Sequence, residues 1–265
     1  MLQAENIIVR LGRSEILHGV DFTAKAGELT AIVGPNGSGK TTLMRALTGD
    51  IDYSGVVSLE GRPVSSMKPW ELASRRAVLP QSTRLAFPFT VLEVVRLGLL
   101  AGIQAEHTEL PSEALAAVGL SGFEGRFYQE LSGGEQQRVQ LARVLVQVWE
   151  PFTDNHPCWL FLDEPVSSLD IGHQLDVMGL AKRYTEAGGG VVAVMHDLNL
   201  TAMYADSIAL IHCGERVCQD KTAQVLTSER LSSAYGCQLR VNTPPQADIP
   251  FVLPQSVQAH GSGRQ

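Results

Sequence analysis

The stretch Gly34-Pro35-Asn36-Gly37-Ser38-Gly39-Lys40-Thr41 decides how the rest of the chain is read. Ahead of it runs Leu29 to Val33, short, apolar and rich in β-branched residues; behind it, Thr42-Leu43-Met44-Arg45-Ala46-Leu47 has helical character. Strand, glycine loop and helix, in that order, are the setting of a phosphate-binding P-loop. Gly34, Gly37 and Gly39 let the backbone curl so that successive N–H groups point inward at a phosphate chain. The helix that starts there adds its positive dipole end. In such a loop Lys40 reaches the β- and γ-phosphates, the Thr41 hydroxyl ligates Mg²⁺, and Thr42 completes the phosphate-binding set. A chance Gly-rich turn would lack the flanking strand and helix.

Bulk properties narrow the classes. At 265 residues the chain is long enough for a large core, and 44% apolar with 18% charged residues describes a soluble globular protein. A net charge of −7 argues against a broad nucleic-acid surface. Cys158, Cys213, Cys218 and Cys237 have neither a CxxC pair nor metal-ligand spacing, so they read as incidental thiols of a reducing compartment. Met1 to Asn6 has no basic, then apolar, signal pattern, and the apolar run Val91 to Ile103 is short for a membrane span and carries Glu93 and Arg96. Work at a membrane would need a span from another chain.

Along the chain, residues 1–28 read as β-rich, with Ile7-Ile8-Val9 and Val20-Asp21-Phe22-Thr23 as short strands around Gly12-Arg13-Ser14. Gly55 to Leu59 and Arg76 to Pro80 are further strands, with a short helix over Trp70 to Arg75. From Ser82 the pattern turns helical and no strand is expected before Trp159. Thr90 to Leu100 has helical spacing, with Thr90 and Glu93 forming a capping-box pattern. Ser112 to Val118 and Gly134 to Val148 follow, which makes 82–150 a helical insertion in an α/β core. Trp159 to Asp163 and Val191 to Met195 are buried strands, separated by a helix over Gly172 to Ala187 that ends at Gly188-Gly189-Gly190. Asp197 to Tyr204 is helical, and Ser207 to His212 and Arg216 to Asp220 are the last strands. Beyond Asn242 the chain is rich in Pro, then in Gly, Ser and Gln, and residues 243–265 read as a loosely attached tail.

Two further motifs carry chemistry. Trp159-Leu160-Phe161-Leu162-Asp163-Glu164 is an apolar strand ending in two carboxylates, a Walker B arrangement. Ligand groups gather at the C-terminal ends of parallel strands, so Asp163 would hold Mg²⁺ opposite Thr41 and Glu164 would orient the attacking water. Leu131-Ser132-Gly133-Gly134-Glu135-Gln136-Gln137-Arg138 places a hydroxyl and exposed backbone N–H groups at a helix start, a second anion site. An ordinary N-cap would explain Ser132 but not the whole run.

At this run the chain resembles the ATP-binding subunits of ABC transporters, whose signature motif it looks like. The resemblance covers residues 2–242, and residues 1–242 are read as one ATPase domain. It implies an α/β fold, a P-loop (RecA-like) core with an N-terminal antiparallel β subdomain and an inserted α-helical subdomain. It also implies that Ser132, Gly133, Gly134 and Glu135 of one copy complete the P-loop site of another, so that two ATP molecules lie sandwiched in a head-to-tail dimer. Gln81 resembles the Q-loop glutamine that touches Mg²⁺ and the attacking water. Ser168-Leu169-Asp170 resembles the D-loop that crosses the dimer interface, which brings Asp170 into the nucleotide-contacting set. His196 resembles the switch histidine that contacts the γ-phosphate. One position departs from the pattern: many relatives stack an aromatic residue on adenine where this chain offers Leu11, and the ring–ring contribution, roughly 0.5–1.5 kcal/mol for aromatic pairs, is lost.

Phe87-Pro88-Phe89-Thr90-Val91-Leu92-Glu93-Val94-Val95 is similar to ATPases serving importers of iron–siderophore, haem and vitamin B12 chelates. The Trp-bearing connection Trp149 to Cys158 looks like the haem-importer branch. The resemblance therefore implies an ATPase driving haem uptake from the cytoplasmic face of the bacterial inner membrane, with a permease dimer and, indirectly, a periplasmic binding protein as partners. An importer of siderophores or vitamin B12 and a soluble ATPase of iron–sulfur cluster assembly are the alternatives. Because the resemblance assigns the cargo to permease and binding protein, His156 and Cys158 are not expected to ligate haem.

Overall fold

The structure, a computed structural model, describes residues 1–81, 85, 87–101, 107–245 and 250–256. The first residues of the expected helical insertion and the end of the tail lie outside them.

β1 (Leu2–Leu11) and β2 (Ser14–Ala24) form a long antiparallel hairpin, much longer than the two short runs expected. Register shifts at Ala4/Ile7 and Val9/Arg10 break the strict alternation, which is why the period-2 pattern is legible only in fragments. β3 (Leu29–Val33) leads into the glycine loop and α1 (Lys40–Leu47). β4 (Ser54–Leu59) returns to pair with β1, and β5 (Arg62–Pro63) pairs with β4. α2 (Pro69–Ala73) and β6 (Arg76–Leu79) close this half.

Three helices follow: α3 (Val91–Ala101), α4 (Leu110–Ala117) and α5 (Gly133–Gln147). The expected capping box is present, with the Thr90 N–H donating to Glu93 Oε2 at 2.7 Å. β7 (Phe152–Thr153) and β8 (His156–Pro157) form a small hairpin where no strand was expected. β9 (Trp159–Asp163), α6 (Ile171–Glu186), β10 (Gly190–Val194), α7 (Leu198–Tyr204), β11 (Ser207–His212) and β12 (Glu215–Lys221) complete the α/β core. α8 (Thr222–Val225) and α9 (Ser228–Tyr235) come last.

The central sheet runs β12-β11-β3-β10-β9-β6, all parallel except β12. A four-stranded antiparallel sheet, β2-β1-β4-β5, packs over one face. β3, β9 and β10 are buried on both sides, so their apolar runs are continuous and their side chains divide by parity. Trp159, Phe161, Val192 and Val194 join α1 and the antiparallel sheet in one core. Leu160, Leu162, Val191 and Ala193 face α3 to α7 in the other.

Register sets the site. Val194 of β10 pairs with Asp163 of β9 and with Ile32 of β3, and Leu79 of β6 pairs with Leu162. The loops that follow β3, β6, β9 and β10 therefore leave the sheet side by side along one edge, where α/β sheets bind ligands. The tail residues 250–256 behave differently from a loose appendage: Pro254 is buried and Gln255 Nε2 donates to the Asn199 carbonyl at 3.3 Å, against α7.

Candidate functional site

The glycine loop is locked from outside. A Cβ on Gly34 would stand 2.0 Å from the Ile211 carbonyl oxygen, so only glycine fits there. Gly214 donates its N–H to the Ser38 carbonyl at 3.0 Å, which ties the β11–β12 turn to the loop. Gly39, at φ 102°, turns the chain into α1. Within the loop, Lys40 Nζ donates to the carbonyls of Gly34 (2.9 Å) and Pro35 (2.8 Å) and is only 6% exposed. Burial pulls the Lys40 ammonium below its ordinary pKa, while the Glu164 and Asp163 charges oppose that. Among the described residues the buried Ser38 hydroxyl has no partner. A buried, unpartnered hydroxyl and a buried ammonium beside open glycine backbone fit a bound phosphate chain.

The end of β9 supplies the acids. Thr41 Oγ1 donates to Asp163 Oδ1 at 3.3 Å. Burial raises the Asp163 carboxyl above its usual range and the Thr41 hydrogen bond works the other way. Glu164 has φ 54°, the left-handed region that a side chain rarely adopts. Its Oε1 accepts from Gln81 Nε2 at 3.0 Å and from His196 Nε2 at 2.6 Å. Since a carboxylate only accepts, His196 carries its proton on Nε2. Gln81, Glu164 and His196, from the ends of β6, β9 and β10, thus converge on one carboxylate oxygen.

These groups open on one cleft of about 670 Å³, lined by Leu11, Ile16, Asn36, Gly37, Gly39, Lys40, Thr41, Thr42, Gln81, Glu164 and His196. Leu11, 48% exposed, sits at its edge with Ile16. Behind lies a smaller cavity of about 290 Å³ that Thr41, Gln81 and Asp163 share. A hydroxyl, an amide and a carboxylate are hard oxygen donors, the set that suits Mg²⁺. The arrangement positions a phosphate chain against a carboxylate that is itself oriented by an amide and an imidazole, which is the equipment for directing water onto phosphorus.

The second group of sequence-predicted residues lies elsewhere. Ser132 caps α5: its N–H and its hydroxyl both donate to Glu135 Oε2 (2.8 and 2.7 Å), and Glu135 returns its N–H to Ser132 Oγ at 3.3 Å. The Ser132 hydroxyl and N–H hold the Glu135 carboxyl below its usual pKa. Ser132 and Gly133 are exposed, and neither they nor Gly134 and Glu135 line the cleft. Asp170 caps α6, accepting from the His173 N–H at 3.0 Å, and stands outside the cleft as well.

Two residues of the site were not singled out from sequence. Ile16 reaches the cleft because the β1–β2 hairpin folds over the nucleotide edge; strand parity across that hairpin was the available signal. Gln137 lies inside the signature run but bridges to the Glu164 carbonyl at 2.8 Å, a contact no local pattern announces. The 149–158 connection is structural: Asp154 and Asn155 have φ 52° and 62°, the tight turn of the β7–β8 hairpin, and His156 Nδ1 bonds Glu60 Oε2 at 2.6 Å. Cys158 is buried, and among the described residues no His, Cys, Asp and Glu cluster could hold a metal ion.

The family model described as ABC transporter matches residues 17–167. The chain is similar to the hemin import ATP-binding protein HmuV of Jannaschia sp. (strain CCS1), 63% identical over 98% of this chain and 97% of the relative. It is also similar to the HmuV protein of Roseobacter denitrificans, 60% identical over 96% of this chain and 98% of the relative. Among solved structures, a bacterial ABC transporter cassette determined as a dimer superposes with a TM-score of 0.72 at 28% identity, covering 84% of this chain and 99% of the other.

Proposed function

The chain belongs to the ABC transporter family, and we propose that it is the ATP-hydrolysing subunit that drives haem import across a bacterial inner membrane. The observation that carries the chemistry is the convergence of Gln81 and His196 on Glu164 beside the buried Lys40. Near-full-length identity to hemin import ATP-binding proteins supports the cargo. Among the described residues no helix is long and apolar enough to cross a membrane; in this reading a partner permease supplies the span.

The phosphates of ATP lie along the glycine loop, where Lys40, freed from the Gly34 and Pro35 carbonyls, takes up the charge of the β- and γ-oxygens. Thr41, Asp163 and Gln81 would hold Mg²⁺, which would offset phosphate charge. Glu164 orients water for attack on the γ-phosphorus, and His196 fixes the carboxylate's direction. Leu11 and Ile16 cover the base by apolar contact. Ser132 to Glu135 and Asp170 belong to the neighbouring copy's site: a second chain, placed head to tail, lays its α5 N-terminus on the γ-phosphate. Closure of two copies around two ATP molecules pulls on the permease, and hydrolysis releases it. The chain works as a peripheral subunit on the cytoplasmic face, with the binding protein acting from the other side.

Reconstitution with its permease and periplasmic binding protein tests the reading. Haem-loaded binding protein is expected to stimulate ATP hydrolysis. Stimulation by a siderophore or cobalamin, with none by haem, would overturn the cargo and leave the ATPase intact.

A further inference from the structure

Gly134 and Gln137 stand three residues apart on α5 and so share one face. That face presses on the turn after β9. A Cβ on Gly134 would lie 3.0 Å from the Ser168 carbonyl oxygen. Gln137 Oε1 accepts from the Ser168 N–H at 3.3 Å, and Gln137 Nε2 donates to the Glu164 carbonyl at 2.8 Å. With an N–H on one side and a carbonyl on the other, the amide has only one orientation that satisfies both.

Glu164 depends on such support. Its backbone sits at φ 54°, a conformation that persists only when the surroundings over-determine it. Its N–H donates to the Val194 carbonyl at 3.2 Å, and its own carbonyl accepts from Gln137 Nε2 and, at 3.2 Å, from Ser167 Oγ. Ser167 lies in the same turn as Glu164 and moves with it. Gln137 comes from a separate helix packed against that turn, so it holds the Glu164 carbonyl from outside, as the Val194 carbonyl holds the Glu164 N–H and Gln174 holds the Val166 carbonyl. Were Glu164 to leave its left-handed conformation, the Cα–Cβ bond would swing and the carboxylate would leave Gln81 and His196.

We propose that Gln137 is a positioning residue for Glu164: by holding the Glu164 carbonyl it keeps the left-handed turn that aims the carboxylate into the cleft. The proposal rests on Glu164 being the group that directs the attacking water. It also gives the signature helix a task inside its own chain: the helix whose first turn starts at Ser132 sets the aim of the carboxylate through one amide.

Gln137→Glu reverses the contact. The side chain keeps its size and its acceptor for the Ser168 N–H, but turns a charged carboxylate oxygen, which cannot donate, toward the Glu164 carbonyl. Gln137→Met, of similar length, removes both bonds. Steady-state ATP hydrolysis by the full chain with Mg²⁺ is expected to show kcat at least tenfold lower in both variants, with the KM for ATP within about threefold of the parent and the thermal midpoint held in at least one of them. In a Glu164→Gln background, adding Gln137→Glu is expected to leave the residual rate within twofold, because the carboxylate it positions is already gone. A kcat within twofold of the parent, a raised KM with unchanged kcat, or a further tenfold drop in the Glu164→Gln background would each overturn the proposal. Should Glu164→Gln itself turn over normally, the role of Glu164 fails, a result distinct from failure of Gln137 in a chain whose Glu164→Gln variant is inactive.

Discussion

The cleft at the glycine loop and the exposed start of α5 are both anion sites by their backbone, yet they are finished to different degrees. In the cleft the groups given the chemistry have neighbours that aim them: Lys40 bonds two loop carbonyls, Thr41 bonds Asp163, and Gln81 and His196 meet on Glu164. At the α5 start, Ser132 bonds only its own helix through Glu135 and faces outward. A site wired into four strand ends is built for chemistry. An exposed cap whose Ser132 side chain bonds only Glu135 among the described residues is built to be laid on something. The difference fits the proposal that the two regions are opposite halves of one composite site.

The comparison breaks first at Glu164. Glu164→Gln is expected to lower kcat by ~10²–10⁴-fold, the range for losing a positioned acid–base group, with ATP binding retained in a fluorescent-nucleotide titration. Near-normal turnover would remove the cleft's claim to the chemistry. His196→Ala takes away the 2.6 Å bond that directs Glu164 and is expected to lower kcat by about 10²-fold, the lower end of that range. A fall in nucleotide affinity without a fall in kcat would make His196 a binding residue instead. Ser132→Ala probes the other region: losing the cap is expected to destabilise the fold by about 1 kcal/mol in a denaturant melt while ATP binding to the single chain is unchanged. Weakened binding by the single chain would mean that the two regions already communicate without a partner.

The smallest effect is at the adenine end. Leu11→Tyr places a ring where the cleft edge now has an alkyl group, and a gain of about 0.5–1.5 kcal/mol corresponds to ATP binding roughly 2- to 13-fold tighter by calorimetry. An unchanged affinity would show that the base does not lie against residue 11.

The cleft was legible in sequence because its parts are local: a glycine loop between strand and helix, and two acids at the end of an apolar strand. The α5 start was legible for the same reason, since Ser132 and Glu135 cap one turn. What escaped depends on tertiary packing. Ile16 enters the cleft only through the β1–β2 fold-over, and Gln137 gains its meaning from the turn after β9, which lies 27 residues further along the chain and packs on α5. The β7–β8 hairpin was missed because its strands are two residues long and its turn uses Asp154 and Asn155 at positive φ without a glycine. α9 was missed because Ser228 to Tyr235 is mostly polar and buries only Leu231 and Ala234.

The central claim is that the cleft of one copy is completed by the α5 start of another. Light scattering on the Glu164→Gln chain, with and without ATP and Mg²⁺, tests it most directly when paired with the Glu164→Gln, Ser132→Arg chain. The account predicts an ATP-driven shift from monomer to dimer in the first, and a monomer that still binds ATP in the second. An ATP-driven dimer that survives Ser132→Arg would contradict it.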